Sequence, residues 1–514
     1  MNILSEHLMR FSLAVGALLI AGTQTLSAQD PGVIKFKIQD EQSRSLPCRI
    51  HLFDEQGESV KVDRFPYWNN HFVCPGTADV AVPPGRYSWQ IERGPEHSRL
   101  SGDAFVQSGK TTDVSKTLRR IANLKEEGWV GGDLHVHRPI TEIKELMLAE
   151  DLHFAPVIGW WNTPAPDAIV VEQTEFRFDE DRIYCSQAGE DEREGGALLY
   201  FGLNKQLDLS VQSREFPSPM QFVEQARQQN QGVWVDVEKP FWWDMPTWLA
   251  SGNMNSMGLA HNHMHRTSVL NNEAWGRPRD SKRLPGPHGN GLWSQEIYYH
   301  LLNTGIRIPP SAGSASGVLP NPVGYNRVYV HLADEPFTRD SWFAGLQAGR
   351  CFVTNGPLLR VAINDTWPGT VLALQEDALQ VEISLQLTSN DPVSSVEVVH
   401  NGAVIKQIPC EELVDQPLNT SIAITEPGWI LVRAIADVDH TFRFASTAPW
   451  YIESDSVKTR VSRTSTQFFL DWVNERIERV NANVPNAIQR DSVLRWHLQA
   501  REFWIRKREN ANAK

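Results

Sequence analysis

Residues 129–162, WVGGDLHVHRPITEIKELMLAEDLHFAPVIGWWN, decide how the chain is read. WVGGDLHVH reads as a strand that ends in a functional loop. ITEIKELMLAEDL follows, with Ile143, Leu146, Met147 and Leu152 at helical spacing, and FAPVIGWW then reads as a buried strand. Further on, SPMQFVEQARQQ is helical and GVWVDV is another apolar strand. Strands alternating with helices predict a parallel sheet or an α/β barrel, here over residues 121–357.

On both flanks the period changes to two. IKFKI puts Ile34, Phe36 and Ile38 on one face, CRIHL does the same with Cys48, Ile50 and Leu52, and Tyr87, Trp89 and Ile91 share a side after a Pro-Gly turn. Such alternation marks half-buried antiparallel strands and predicts a β-sandwich over residues 29–120. A second sandwich, Ig-like, is predicted over 358–455. VEISLQL there aligns Val381, Ile383, Leu385 and Leu387, and Asn401-Gly402 sits where a hairpin turns. Residues 456–514 read as two helices. Phe469, Trp472, Val473, Ile477 and Val480 form the first apolar stripe; Leu494, Leu498 and Ile505 form the second. The expected fold class is multidomain α/β plus all-β.

With 514 residues, 41% hydrophobic and 22% charged, the chain is expected to be globular with two to four domains. A net charge of −13 argues against nucleic acid and against anionic membrane surfaces as partners. Arg10, the apolar run Phe11–Ile20 and the small and polar AGTQTLSAQD read as a signal peptide over residues 1–28, cleaved after Ala28. The alternative, an uncleaved anchor, is disfavoured because the run is shorter than the ~20 residues of a span. The mature chain is therefore expected to be secreted or periplasmic, without stable membrane insertion. Among the five cysteines, Cys48 and Cys74 lie in one small region and are the best-placed pair; no CxxC occurs.

Four places carry residues suited to chemistry. His135 and His137, two apart on a strand, point to one side and can meet one metal ion. LAHNHMHR shows His261, His263 and His265 on one face if it is extended, with His263 the first choice as a ligand. The acidic run QAGEDEREGG offers Glu190 as its best ligand, because Glu190 follows the Gly that would end a strand. Glu238, at the end of GVWVDV and sharing a face with Asp236, is either a ligand or the ion-pair partner of Lys239. Asp133 can orient a ligand imidazole from behind. Trp160, Trp161, Trp242 and Trp243 are either core or a wall for a ring-shaped substrate. Tyr325 and Arg327 are substrate contacts or, equally, packing and a surface ion pair. GSASG, residues 313–317, is an anion-binding loop or a plain turn. There is no GxSxG elbow, P-loop or HExxH.

On these residues the chain resembles the polymerase and histidinol phosphatase (PHP) superfamily, and within it the CehA/McbA branch of metallohydrolases. GDLHVHRP is similar to the family's opening HxH, AGSASGVLPNPVGYNRVYV to the segment of its late Asp-x-His, and GRCFVTNGPLL to its end-of-domain signature. The resemblance spans about residues 124–360. It implies a distorted (β/α)7 barrel with metal at the strand ends, and hydrolysis of ester, amide, carbamate or phosphoester bonds. Glu190 then stands where the family has a bridging Glu. Departures are clear: Trp160 and Trp161 occupy the place of an Asp-His pair, Lys239 stands in a His-Pro pair, and Ala315 and Gly317 replace the late Asp-x-His. The set left, His135, His137, Glu190 and one of Glu238 or His263, suffices for one divalent ion (zinc, manganese or iron). Two functions follow. One is an exported hydrolase of a small molecule, carbohydrate or aromatic, with Asp133, Glu238 and Arg327 as catalytic residues. The other is a non-catalytic protein binding a sugar or aromatic ligand on a decayed barrel.

Overall fold

The computed structural model describes residues 30–162, 174–211, 213–375, 378–413 and 417–514; the expected signal peptide lies outside them. The chain is mixed α/β, dominated by strands, with helices at its C-terminal end. Residues Gly32–Gln39, Thr77–Val82 and Thr111–Thr117 form a three-stranded sheet, and a five-stranded sheet runs from Tyr67–Trp68 to Leu100–Val106. Their facing sides share one core that includes Ile34, Phe36, Ile38, Ile50, Leu52 and Trp89. The period-two reading matches the burial in Gly32–Gln39 and through most of Gly85–Glu92, whereas Cys48–Phe53 is buried on both faces because Arg49 and His51 are covered as well.

The body is a 16-stranded sheet. Its central path runs Pro310–Ala312, Ser256–Ala260, Trp234–Val237, Gly196–Phe201, Arg182–Arg193, Phe154–Trp161, Trp129–Gly132, Arg327–His331, Cys351–Thr354. The sheet is mixed rather than parallel. Arg182–Arg193 turns back on Gly196–Phe201 as a hairpin, because Arg193 pairs with Gly196 and leaves no room for a crossover helix. The segment after Trp129–Gly132 enters between the two flanks of this path. Val136 bridges Val157 on one side and Ser316 on the other, and Leu134 N–H and His137 N–H donate to Ala312 and Ser316. A Cβ on Gly313 would lie 2.4 Å from the His135 Cβ, and one on Gly317 would lie 2.8 Å from the His137 backbone. The Gly/Ser loop is thus the close-packing partner of the HxH segment.

No break in the sheet marks residue 357. Cys351–Thr354 pairs with Phe444–Thr447, so the second β region continues the central sheet and adds a three-stranded sheet over its own core of Val381, Ile383, Leu385 and Trp450. The Asn401-Gly402 hairpin forms with both residues at positive φ (51° and 92°). The C-terminal helices are Arg463–Asn483 and Ala487–Glu509. The first buries Phe469, Trp472, Val473 and Val480. The second corrects the expected stripe: it buries Val493, His497, Ala500 and Trp504, while Leu498 is exposed. His497 and Trp504 dominate because each finds a polar partner beneath it, Thr247 and the Pro246 carbonyl. Among the described residues no helix is long and apolar enough to cross a membrane. Cys48 and Cys74 are directly opposed across antiparallel strands with their sulfurs 3.9 Å apart.

Buried ion pairs join the first β region to the central one. Arg49 pairs with Glu92 and Glu150, and Asp151 receives Arg93, Arg120 and Arg182. Burial alone would raise the Asp151 carboxyl, but Arg93, His153, Arg120 and Arg182 outweigh it and hold it well below the usual range. Its folded pKa lies below the unfolded one, so its contribution is complete above about pH 4 and is lost as pH falls through the depressed value. We expect Asp151→Asn to cost about 3–5 kcal/mol at pH 7 and to flatten the acid limb of a urea-unfolding series below about pH 4, between the unfolded and the depressed folded pKa. An unchanged acid limb would remove Asp151 from this role.

Candidate metal centre

Among the described residues, one group of potential ligands brings its atoms within 4.8 Å of one another: His135, His137 and Glu190. His135 Nε2 and His137 Nε2 lie 2.9 Å apart, and Glu190 Oε2 lies 3.2 and 3.0 Å from them. Corners of a tetrahedron with zinc-like bonds would be roughly 3.3 Å apart. Three donors at nearly that spacing fit one ion and leave a corner open. His135 and Glu190 are buried, while His137 lies nearer the surface.

Local folding explains each position. Asp133 is fully buried and takes three backbone N–H groups: His135 and Ser314 (both 3.0 Å) on Oδ1 and Gly324 (2.7 Å) on Oδ2. It faces backbone rather than an imidazole, so it positions the HxH segment through the main chain. Glu190 pairs in register with Trp161 on the neighbouring strand. Gly189 is required beside it because a Cβ there would fall 1.8 Å from the Trp160 ring. The acidic run splits by strand alternation. Asp191 pairs with Arg193, and Glu194 meets Arg214 and Arg479 at the surface. Glu192 lies near Glu190, Glu238 and Lys239; burial and Glu190 push its carboxyl up to about 7.

Glu238 lies outside the triad. Its carboxylate faces Nδ1 of His135 at 3.3 Å, opposite the nitrogen turned to Glu190 and His137, and it accepts from Lys239, Asn262 (2.6 Å) and Trp242 Nε1 (3.0 Å). It is thus the imidazole-orienting carboxylate and the partner of Lys239 at once. Burial opposes charge on His135, but Glu190 and Glu238 together carry its pKa up to about 10. Glu190 itself is held down to about 2, against the effect of burial, by His135 and His137. Asp236 takes the hydroxyls of Ser256 and Ser311 and is pushed up to about 7, chiefly by burial.

The second histidine cluster does not present one face. The strand ends at Ala260, Met264 N–H closes a turn on the His261 carbonyl, and the three rings take separate hydrogen-bond partners. His261 meets Ser294, His263 Nδ1 meets the Asn272 carbonyl (3.1 Å) and His265 meets Ser268. His263 is outside the triad group. Tyr325 and Arg327 line a cavity at the junction with the first β region that contains none of the triad. Arg327 is buried there, donating to the Gly324 and Glu150 carbonyls. Trp160, Trp242 and Trp243 are buried; Trp161 is the one exposed tryptophan described (39%), its ring 5.2 Å from that of His137. Glu192 was legible from strand alternation two places past Glu190. Lys239 was read from the sequence as the alternative partner of Glu238, and the structure makes that pair, buried.

No family model matches the chain, and no curated protein matches it. Among solved structures it is similar to one described as the Bacillus anthracis TIE protein, at 15% identity and a TM-score of 0.15, over 22% of this chain and 20% of that one. That overlap carries no argument about fold or function.

Removing the Asp133 carboxylate strands three buried N–H donors, each costing about 1–3 kcal/mol. Asp133→Ala is expected to lose about 3 kcal/mol or more in urea unfolding. A loss below about 1 kcal/mol would show that other acceptors serve these groups.

Proposed function

We propose that the chain is an exported hydrolase of the PHP type, CehA/McbA-like, that works on a small molecule with one divalent ion of zinc, manganese or iron. The observation that carries the reading is the convergence of His135 Nε2, His137 Nε2 and Glu190 Oε2. The double bridge at Val136 supports a closed, distorted barrel with this group at its strand ends. When bound, such an ion supplies a Lewis acid and lowers the pKa of a water that attacks an ester, amide, carbamate or phosphoester. In this reading Glu238 fixes the ring orientation and tautomer of His135, so that Nε2 faces the group. Glu192, on the same strand face as Glu190, offers a further carboxyl beside it.

The ring-shaped wall reduces to Trp161, because the other three tryptophans are buried. Its exposed indole beside His137 suits a sugar or aromatic ring in the substrate. Stacking of this kind is worth about 0.5–1.5 kcal/mol. Trp161→Ala is therefore expected to raise KM for ring-bearing substrates by about 3- to 10-fold and to leave acyclic ones unchanged. Equal losses on both classes would count against a stacking role.

The deciding experiment is elemental analysis of purified protein after reconstitution, with His135→Ala/His137→Ala as control. About one equivalent of transition metal is expected, absent from the double variant, with chelator-sensitive turnover of an ester or amide. Less than about a tenth of an equivalent in the unaltered protein would end the reading.

A further inference from the structure

The first β region holds two thiols that the hydrolytic reading leaves without a task. Cys48 opens the strand Cys48–Phe53, and Cys74 closes the strand His71–Cys74. The strands are antiparallel, and the two cysteines are register partners. Directly opposed residues in such a pair have Cα atoms about 4.5–5.5 Å apart, inside the range of about 4.4–6.8 Å that a disulfide spans. Their sulfurs are 3.9 Å apart, so a bond of about 2 Å needs each to move by about 1 Å. The remaining cysteines lie in other cores: Cys185 and Cys351 in the central one, Cys410 against that of the second β region.

The position of the pair gives a bond there a consequence. The next register pair is Arg49 and Val73. Arg49 reaches Glu150 in the central region, and Val73 shares a core with Ile143, Leu146 and Met147 of the helix Ile143–Ala149. Between the two cysteines lie Trp68, whose Nε1–H donates to the Leu319 carbonyl (2.7 Å), and Tyr67, whose carbonyl accepts from Arg138. The segment that a Cys48–Cys74 bond would close therefore carries contacts of the first β region with the helix after the HxH segment. A cross-link acts chiefly by narrowing what a closed segment can do when it is not docked.

We propose that Cys48 and Cys74 are an oxidation site, closed to a disulfide as the chain folds, that pins the two strands by which the first β region docks on the central one. Both thiols are buried in the folded chain, so the bond forms before their core closes and is then shielded from reductants. The oxidant is a disulfide carrier of the compartment to which an exported chain is delivered. One protein thiolate attacks the carrier disulfide, which forms a mixed disulfide and releases one carrier thiol. The second protein thiolate attacks the protein sulfur of that intermediate and releases the other. The protein gives up two electrons and two protons, and the carrier disulfide leaves as two thiols. The site is independent of the metal centre.

The test is refolding of the full chain in mixed oxidised and reduced glutathione, followed by a thiol count in denaturant and peptide mass spectrometry. Of the five thiols, two are expected to disappear, with one peptide pair joined through Cys48 and Cys74 and separated by reductant. Five remaining thiols, or a bond that uses Cys185, Cys351 or Cys410, overturns the proposal. The oxidised chain is expected to unfold about 5–10 °C above the reduced one, and amide exchange in Ile143–Ala149 is expected to slow. Equal midpoints, or slowing confined to residues 48–74, overturns the pinning role. Cys48→Ala/Cys74→Ala, folded by circular dichroism, is expected to show one midpoint under both conditions; a difference that persists there assigns the effect to another cysteine and overturns the proposal. If that variant does not fold, the thiol count, the linked peptides and the exchange of the unaltered chain decide it.

Discussion

The carboxylate of Asp133 is the constraint on which the site depends. It is shut away from water and satisfied by main-chain N–H groups from three separate segments. A buried carboxylate without such partners costs several kcal/mol, so the three segments are held to it and to one another. One carries the HxH pair. Another is the Gly/Ser loop, whose glycines let the histidine backbone approach. The third leads into the strand Arg327–His331. The imidazoles are placed through the backbone before any ion is considered.

Buried charge recurs as the joining device elsewhere. Asp151 collects three arginines at the junction with the first β region, and Arg476 of a C-terminal helix reaches Asp244 and Glu215 of the central body. Such pairs contribute little net stability against apolar packing, but removing one partner is expensive. They therefore specify how the parts dock. The same logic operates inside the centre, where Glu238 is shared between His135, Lys239, Asn262 and Trp242.

Much of the architecture was legible in local pattern. Alternation in Gly32–Gln39 and Leu379–Thr388 matches burial directly, since a strand's faces repeat every second residue. The strand–helix–strand order of residues 129–161 and the choice of His135, His137 and Glu190 as candidate ligands were legible locally, although the strand expected to end at Gly189 runs on through Glu190 to Arg193. What escaped was set by partners distant in sequence. The second terminal helix turned His497 and Trp504 inward because Thr247 and Pro246 lay beneath them. His263 turned toward Asn272 because its strand stopped at Ala260. Neither event has a local signal.

The sequence by itself determined which segments alternate with period two and which carry helical stripes. It also determined that two histidines two residues apart lie on one face, because these follow from backbone geometry within a few residues. Only the tertiary structure decided that Glu190 meets both histidines, that Glu238 stands behind His135, and that Lys239 holds Glu238. Those outcomes depend on which strands are neighbours and on the need of every buried charge for a partner, and no single segment carries that information.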